Sequence, residues 1–343
     1  MYKTGVFAGK FLPPHRGHLS QIINSATQCE KLYVVVSDNK NSTANICEKA
    51  KLPLMSTDLR IKWLSQELQG FNHIKVVLLD ETDIPEYPWG WNYWVGDLKT
   101  LVNDKIDVVF SGDSGYEAGY KIYLPEAEFK LFDYKRERYP VSATLIRENP
   151  FEYWDYILGS ARPFFAKKVL ITGTESCGKT TTTKYLAKIF YTSWSEEIGR
   201  NYATRFLGGN ESIYTPEDFG RIAYLQYECD MDALRKANKI VFYDTDAVVT
   251  QYYAELYLGR RVDMVDKFID PSRYDIVIAF APSVPWVDDG MRFNGEQNRR
   301  EELDGKLLRM YEEYGFKNVI RLSGDYNSRL ESCISLANKT IGR

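Results

Sequence analysis

The sequence predicts an α/β protein built from two doubly wound parallel-sheet domains. Short apolar runs alternate with helical patterns along the whole chain of 343 residues. This alternation is typical of parallel strands that are joined by right-handed helical crossovers. It pauses once and then starts again with a new strand and a second glycine-rich turn, and a chain of this length accommodates two hydrophobic cores.

The individual elements follow from the apolar pattern. In the first half, strands are predicted over residues 5–8, 32–36, 74–79 and 108–111, with helices near 19–28, 58–68 and 91–102. The second half has strands over residues 169–172, 240–243, 276–279 and 319–322, with helices between them. The interruption contains Gly159, Ser160 and Pro163 and separates a domain of residues 1–160 from a domain of residues 167–343.

Composition excludes several classes of protein. With 44% hydrophobic residues and a net charge of −3, the chain is globular and has no electrostatic reason to bind nucleic acid. No basic leader and no apolar run of about 18 residues is present, so neither a signal peptide nor membrane insertion is expected. The five cysteines are scattered and never in Cys-x-x-Cys spacing, which indicates reduced thiols in a cytoplasmic protein.

The first predicted strand runs into a loop of glycine, proline and histidine. It reads Gly9-Lys10-Phe11-Leu12-Pro13-Pro14-His15-Arg16-Gly17-His18. The prolines oppose helix before His15, so a helix begins close to Gly17 and both imidazoles lie beside its free N–H groups. Such a place suits a triphosphate. The alternative, a pair of ordinary surface or capping histidines, is disfavoured because strand, turn, prolines and His-x-x-His coincide.

A second cluster follows later in the first domain. Ser142 or Thr144 is a good N-cap, and Arg147 lies one turn further on, where its guanidinium can hold a phosphate oxygen by two bonds. Alone, Ser-x-Thr-x-x-Arg is a common helix start. Together with the first motif it resembles the nucleotidyltransferase superfamily, which has a Rossmann-like fold, and Lys10-Phe11 resembles its nicotinamide-mononucleotide adenylyltransferase branch.

The resemblance implies roles for the residues of both motifs. His15, His18 and Arg147 are expected to bind the ATP phosphates and to stabilise the transition state. Further ATP contacts are implied for Gly9, Lys10, Phe11, Ser142 and Thr144. The family also places an aromatic sandwich for nicotinamide near residues 84–94, so that Trp89 and Trp91 are candidates for stacking on the pyridinium; a core-facing aromatic helix is the alternative. Asp113 follows a predicted strand and is expected to contact bound nucleotide.

The second domain opens on a phosphate-binding loop. Residues 169–172 run into Gly173-Thr174-Glu175-Ser176-Cys177-Gly178-Lys179-Thr180, which matches G-x-x-x-x-G-K-T, and a predicted helix begins with Thr181. Backbone N–H groups of such a loop bind ATP phosphates, Lys179 reaches the β and γ oxygens, and Thr180 ligates Mg²⁺. Asp244 ends another apolar strand and is expected to support the same Mg²⁺.

Three further segments point to the phosphoryl acceptor. Glu197 and Arg200 could lie beside it, although Glu196-Glu197 could also be a solvated helix start. Asp246 follows Asp244 closely. Trp286, Asp288 and Arg292 belong to a glycine-containing segment that suits a closing lid, for which a plain charged loop is the alternative. Arg292 would reach the transferring phosphoryl group, and Glu197 would be catalytic as well. Contacts with the substrate are expected from Arg200, Asp246, Trp286 and Asp288.

These segments resemble the ribosylnicotinamide kinase domain of the bifunctional NadR-type enzymes. The resemblance covers nearly the whole chain, with both domains in the same order, but not the N-terminal helix-turn-helix of the repressor members, so no DNA-binding role is expected. It implies that the kinase uses ATP and Mg²⁺ to convert ribosylnicotinamide to nicotinamide mononucleotide. The transferase then joins this product to AMP from a second ATP, giving NAD and pyrophosphate.

Two alternatives stay open. A nucleoside kinase could be fused to an adenylyltransferase for another phosphomonoester, of pantetheine or flavin type, because nucleotide motifs report ATP and not the acceptor. A nucleotide-sensing regulator with weak catalysis is the other. The expected partners are small molecules, and a homo-oligomer is compatible with the sequence.

Overall fold

A computed structural model describes residues 1–86, 88–286 and 297–342 of the chain. The chain divides into two compact units, Met1–Phe164 and Phe165–Arg343, called here the N-terminal and C-terminal units. Their border lies in the interval between residues 160 and 167. Among the described residues, no helix is both long enough and apolar enough to cross a membrane.

The N-terminal unit contains a parallel sheet of five strands. These are β1 (Tyr2–Gly9), β2 (Cys29–Asp38), β3 (Ile74–Asp80), β4 (Val108–Ser111) and β5 (Glu128–Leu131). Their order is β3-β2-β1-β4-β5, so the winding reverses between β1 and β4. In sheets of this kind ligands bind outside the carboxyl ends of the strands at that reversal, which places the loop after β1 at the expected site.

The helices of this unit cover the sheet. They are α1 (Arg16–Ala26), α2 (Lys40–Lys49), α3 (Thr57–Glu67), α4 (Trp91–Val102), α5 (Glu117–Tyr123) and α6 (Ala143–Glu148), with α7 (Arg162–Phe165) at the border. The helix α4 shows why they pack. It buries Val95, Leu98 and Val102, at spacings of three and four residues, against Val35 and Val109 of the sheet.

The C-terminal unit contains a second parallel sheet. Its strands are β6 (Lys167–Thr172), β7 (Trp194–Ser195), β8 (Ile240–Asp244), β9 (Ile276–Phe280) and β10 (Val319–Leu322), in the order β10-β9-β6-β8-β7. The helices are α8 (Lys179–Ile189), α9 (Ile198–Phe206), α10 (Pro216–Arg235), α11 (Ala247–Leu258), α12 (Asp263–Asp266), α13 (Gln297–Glu313) and α14 (Tyr326–Thr340). Every residue of β8 is buried, as expected where helices cover both faces of a sheet. The two sheets confirm the predicted fold class.

Candidate active sites

The histidine pair of the N-terminal unit lies at the start of α1. His15 is the N-cap, with extended backbone, and its N–H group donates to Nδ1 of His18 at 3.3 Å. The two imidazole rings stack with their centroids 3.7 Å apart, and the ring of Phe11 meets His18 edge-on at 5.0 Å. Both histidines therefore lie beside the first-turn N–H groups of α1, where the helix dipole favours an anion.

The electrostatics of the pair fit a site that receives negative charge. Burial, with a smaller contribution from Arg136, lowers the pKa of His18 to about 3. Burial and the neighbouring His18 lower the pKa of His15 even further. Both imidazoles are therefore neutral near pH 7, and an anionic group placed between them and Arg136 would favour their protonated forms.

Two arginines hold the loop between β1 and α1 by its carbonyl groups. Arg147 donates through Nη1 to the carbonyl oxygen of Leu12 and through Nη2 to Oγ1 of Thr144 at 3.0 Å. Arg60 donates through Nη1 to the carbonyl oxygen of Lys10 at 2.6 Å. The predicted Arg147 thus reaches the same loop as the histidines, whereas Arg60 was not among the predicted site residues.

Arg60 forms a buried ion pair. Its Nη2 lies 2.7 Å from Oδ1 of Asp38, and both side chains are almost fully buried. Thr43 donates to the same carboxylate at 2.5 Å, and Thr57 donates to its other oxygen. Asp38 ends β2, next to the end of β1, and this position at the carboxyl edge of the sheet is the sequence signal that could have identified it.

The remaining predicted ATP contacts take different places around this loop. Phe11 is only 2% exposed and packs on Phe7, so its ring belongs to the core of the unit. Lys10 is exposed and Gly9 is half-buried. Ser142 is the N-cap of α6, where its Oγ accepts from the N–H of Leu145 at 3.2 Å. ATP contact by these residues stays a prediction.

The two predicted tryptophans of the aromatic segment lie in different environments. Trp89 is 80% exposed, whereas the ring of Trp91 packs on Tyr120, with centroids 5.0 Å apart, in the core of the unit. The alternative of core packing therefore describes Trp91 better than Trp89. Asp113 follows β4, and its Oδ1 accepts from the N–H of Gly115 at 2.8 Å at the start of a short 3-10 helix.

The phosphate-binding loop of the C-terminal unit connects β6 to α8. Gly173 has φ +140, and a Cβ there would lie 2.7 Å from the carbonyl oxygen of Phe280. Gly178 has φ +85, so both positions require glycine. Lys179 is buried and donates through Nζ to the carbonyl oxygen of Thr174 at 2.9 Å. These features give the loop the tight path that the sequence motif predicts.

Two buried arginines, absent from the predicted site residues, hold this loop from outside. Arg329 on α14 donates through Nη1 to the carbonyl oxygen of Cys177 at 2.8 Å. Arg300 on α13 donates through Nη2 to the carbonyl oxygen of Ser176 at 3.4 Å. Cys177 is buried, and its Sγ lies 2.9 Å from the carbonyl oxygen of Thr174, so the thiol packs inside the loop.

Asp244 meets the loop at its last residue. Thr180 donates through Oγ1 to Oδ2 of Asp244 at 2.5 Å. Asp244 is 0% exposed, and among the described residues its Oδ1 is buried without a hydrogen-bond partner. Burial, and then the negative charge of Glu197, raise the pKa of Asp244 to about 7, against the opposing effect of Lys179. A hydroxyl and a carboxylate are thus in contact at the carboxyl end of β8.

A pocket open to solvent lies beside this pair. Glu197 and Arg200, which were predicted to lie beside the acceptor, line it together with Thr245. Acceptor binding by these residues stays a prediction. Tyr253 and Tyr257 line it as well, with their rings stacked 6.1 Å apart on successive turns of α11. Their spacing of four residues on one helix is the sequence signal that could have identified them.

The other predicted kinase residues lie in different places. Asp246 is the buried N-cap of α11: its Oδ1 accepts from the N–H groups of Val248 and Val249 and from the hydroxyl of Tyr311. These contacts are structural, and substrate binding by this carboxylate stays a prediction. Trp286 is half-buried. Asp288 and Arg292 lie outside the described residues.

Comparison with known proteins adds to this geometry. A family model described as "AAA domain" matches residues 168–329. The trifunctional NAD biosynthesis/regulator protein NadR of Escherichia coli (strain K12) is 34% identical over 342 residues, which cover 98% of this chain and 83% of that protein.

Two solved structures are similar over both units. A NadR protein in complex with NR superposes with a TM-score of 0.82 and 28% identity, covering 99% of this chain and 96% of the other. A NadR protein in complex with NAD and AMP-PNP gives a TM-score of 0.81 and 29% identity, with coverage of 100% and 97%.

Two parallel-sheet units and the similarity to these proteins over both of them define a fusion of two nucleotide-dependent transferases. The Escherichia coli relative is similar enough, over enough of both chains, to identify the family of this fusion. The chain belongs to the NadR family.

Proposed function

We propose that the protein is a bifunctional enzyme of NAD salvage. Its kinase phosphorylates ribosylnicotinamide with ATP, and its adenylyltransferase joins the resulting nicotinamide mononucleotide to AMP from ATP, giving NAD and pyrophosphate. The observation that carries the proposal is the presence on one chain of the stacked His15 and His18 at a helix start and of a phosphate loop whose Thr180 meets Asp244. Membership of the NadR family, and the similarity of this chain to NadR structures in complex with NR and with NAD, support the choice of substrates.

In the kinase, the pocket beside Asp244 would hold the ribosylnicotinamide. A hydroxyl oxygen of its ribose attacks the γ-phosphorus of ATP, the bond to the β-bridging oxygen breaks, and ADP leaves. Glu197 lines the pocket and is proposed to take the hydroxyl proton, while Oδ2 of Asp244 accepts from Thr180. Tyr253 and Tyr257 offer aromatic faces to the pyridinium.

The residues around Asp244 fit Mg²⁺. Thr180 and Asp244 supply a hydroxyl and a carboxylate in contact, and Oδ1 of Asp244 is buried without a partner among the described residues. The described part of the chain contains no group of three or more His, Cys, Asp or Glu that could hold a metal, which suits an ion that takes its other ligands from phosphates and water. When bound, Mg²⁺ would neutralise charge on the β- and γ-phosphates.

In the adenylyltransferase, the phosphate oxygen of nicotinamide mononucleotide attacks the α-phosphorus of ATP and pyrophosphate leaves. No covalent enzyme intermediate is needed, so catalysis consists of positioning and charge stabilisation. His15, His18 and Arg147 are proposed to supply the stabilisation, since all three converge on the loop of residues 10–12 or on the helix start that follows it.

The test is a reaction of the purified protein with ATP, Mg²⁺ and ribosylnicotinamide, followed by chromatography. NAD should form through nicotinamide mononucleotide. Lys179→Ala should block the first step and still adenylylate supplied mononucleotide, whereas His18→Ala should let the mononucleotide accumulate. No turnover of either nicotinamide compound, or turnover of a pantetheine or flavin phosphomonoester instead, would contradict the proposal.

A further inference from the structure

The segment that carries Glu197 is short and lies between β7 and α9. Glu197 is the N-cap of α9, yet its side chain makes no capping hydrogen bond with that helix. Capping residues normally satisfy a free N–H group of the first turn. Another group contacts the backbone at this helix start, and the negative charge of Glu197 raises the pKa values of Lys179 and Asp244.

That group is the side-chain amide of Gln226 on α10. Its Oε1 accepts from the N–H of Ile198 at 3.0 Å, and its Nε2 donates to the carbonyl oxygen of Glu196 at 3.0 Å. The two hydrogen bonds hold the backbone on either side of Glu197. Gln226 is only 3% exposed, so these bonds face little competition from water.

A buried ion pair fixes the orientation of this amide. Nε2 of Gln226 also donates to Oδ1 of Asp230 at 2.9 Å, and Nη2 of Arg273 lies 3.1 Å from Oδ2 of the same carboxylate. Because Oδ1 of Asp230 accepts from Nε2, the amide of Gln226 is oriented with its Oε1 towards the N–H of Ile198. The guanidinium of Arg273 is held in turn over the rings of Tyr227, Tyr243 and Tyr274 at 5.0, 5.6 and 5.7 Å.

We infer that Gln226 is a positioning residue for phosphoryl transfer, which holds the backbone at Glu197 so that this carboxylate faces the acceptor pocket. The inference rests on the proposed function, because it assigns a purpose in the kinase reaction to the hydrogen bonds of Gln226 with Ile198 and Glu196, called here the clamp. Asp230 and Arg273 act one step further out by orienting the amide. A clamp that only stabilised the fold would make the same contacts, so the test has to separate the two roles.

A double-mutant cycle makes that separation. Gln226→Met keeps the length of the side chain and removes its three hydrogen bonds. We expect the kinase kcat to fall roughly 10- to 100-fold, since small displacements of a catalytic group have effects of that size. The KM for ATP should stay within about threefold, because the phosphate loop is untouched. In a Glu197→Gln background, Gln226→Met should lower kcat no further.

The chain provides a matched control in Gln251 on α11. This glutamine is 0% exposed, accepts from the N–H of Val262 at 2.9 Å, and donates to the carbonyl oxygen of Val262 at 3.1 Å and to Asp266 at 2.6 Å. It is the same kind of clamp in the same unit, but it holds a segment that does not carry Glu197. Gln251→Met should lower the melting temperature comparably and leave the kinase kcat within about twofold.

Each outcome decides the matter. Calorimetry and the adenylyltransferase activity of the same protein report folding. Gln226→Asn, which keeps an amide on a side chain too short to make all three hydrogen bonds, is the second variant if Gln226→Met does not fold. Losses that multiply in the double variant, equal loss in Gln251→Met, or full activity in Glu197→Gln would each overturn the inference. Failure of the unsubstituted chain to phosphorylate ribosylnicotinamide would contradict the proposed function itself, whereas a normal Gln226→Met enzyme would contradict only the clamp.

Discussion

His15 and His18 show how a single pair of side chains can link nucleotide binding to protonation. Their rings stack at 3.7 Å, and their pKa values are lowered chiefly by burial. A neutral imidazole is what the folded chain holds at pH 7, whereas the unfolded chain protonates its histidines near pH 6.5. At pH values between the lowered pKa values of the folded chain and 6.5, the unfolded state binds more protons than the folded state. The free energy of unfolding must therefore fall as the pH falls.

We therefore expect the N-terminal unit to lose stability as the pH is lowered from 7 to 5. Below pH 6.5 the loss should approach, at most, about 1.4 kcal/mol per pH unit for each histidine. Calorimetry across this range should show the effect, and His15→Gln and His18→Gln should each flatten the slope. ATP, by favouring the protonated rings, should flatten it as well. A slope that both variants leave unchanged would contradict this prediction.

The buried carboxylate of Asp244 is expected to serve the kinase reaction and to lower the stability of the folded chain at high pH. Its pKa is raised to about 7, so its contribution to stability is present at low pH and is lost as the pH rises from about 4 through 7. Asp244→Asn should therefore stabilise the C-terminal unit at pH 8 by roughly 1 to 3 kcal/mol and lower kinase activity at least about 100-fold. At pH 5 the gain should largely vanish. Calorimetry at both pH values checks this, with adenylyltransferase activity as the control, and a gain independent of pH would speak against it.

At the level of elements, both phosphate loops are held by arginines that reach them from helices packed alongside. Arg60 of α3 and Arg147 of α6 bind carbonyl groups of the first loop, and Arg300 of α13 and Arg329 of α14 bind carbonyl groups of the second. A loop that must present its N–H groups to phosphate cannot use them for its own hydrogen bonds. Fixing the carbonyl side leaves the amide side available.

Arg60 allows this arrangement to be tested apart from stability. Arg60→Met should destabilise the N-terminal unit by roughly 3 to 5 kcal/mol, because it leaves Asp38 buried and unpaired. Arg60→Met combined with Asp38→Asn removes that charge and should recover most of the stability. Its adenylyltransferase kcat/KM should nevertheless stay at least about tenfold low, since the loop carbonyl of Lys10 remains unheld. Recovery of activity together with stability would show that Arg60 serves only the fold; kinase activity is the internal control.

The sequence predicts what depends on local pattern and misses what depends on distant partners. Eight apolar runs correctly predicted strands. The strand β5 was missed because Glu128 and Lys130 interrupt its apolar residues, and β7 was missed because it is only two residues long. The motifs that predict phosphate binding were visible because each is contiguous in the chain; phosphate binding by the two loops stays a prediction. Arg60, Gln226 and Arg329 have no local signature. Their roles depend on carbonyl groups 50, 30 and 152 residues away in the chain.

At the scale of the whole molecule, the two activities are joined by chemistry. The phosphate monoester that the kinase makes is the nucleophile that the adenylyltransferase uses. Every described residue assigned to the first site lies in Met1–Phe164, and every one assigned to the second lies in Phe165–Arg343. Each unit therefore contains the residues proposed for its own reaction, and a substitution in one loop should not impair the other.

This self-sufficiency predicts complementation between two defective chains. Lys179→Ala protein cannot make nicotinamide mononucleotide, and His18→Ala protein cannot consume it. A mixture of the two should convert ribosylnicotinamide to NAD, after a lag in which free mononucleotide builds up to the KM of the adenylyltransferase. Adding more Lys179→Ala protein should shorten the lag, and an unrelated enzyme that degrades free mononucleotide should abolish synthesis. Accumulation of mononucleotide above that KM without formation of NAD would contradict the prediction, because it would mean that Lys179→Ala also impairs the adenylyltransferase of the same chain.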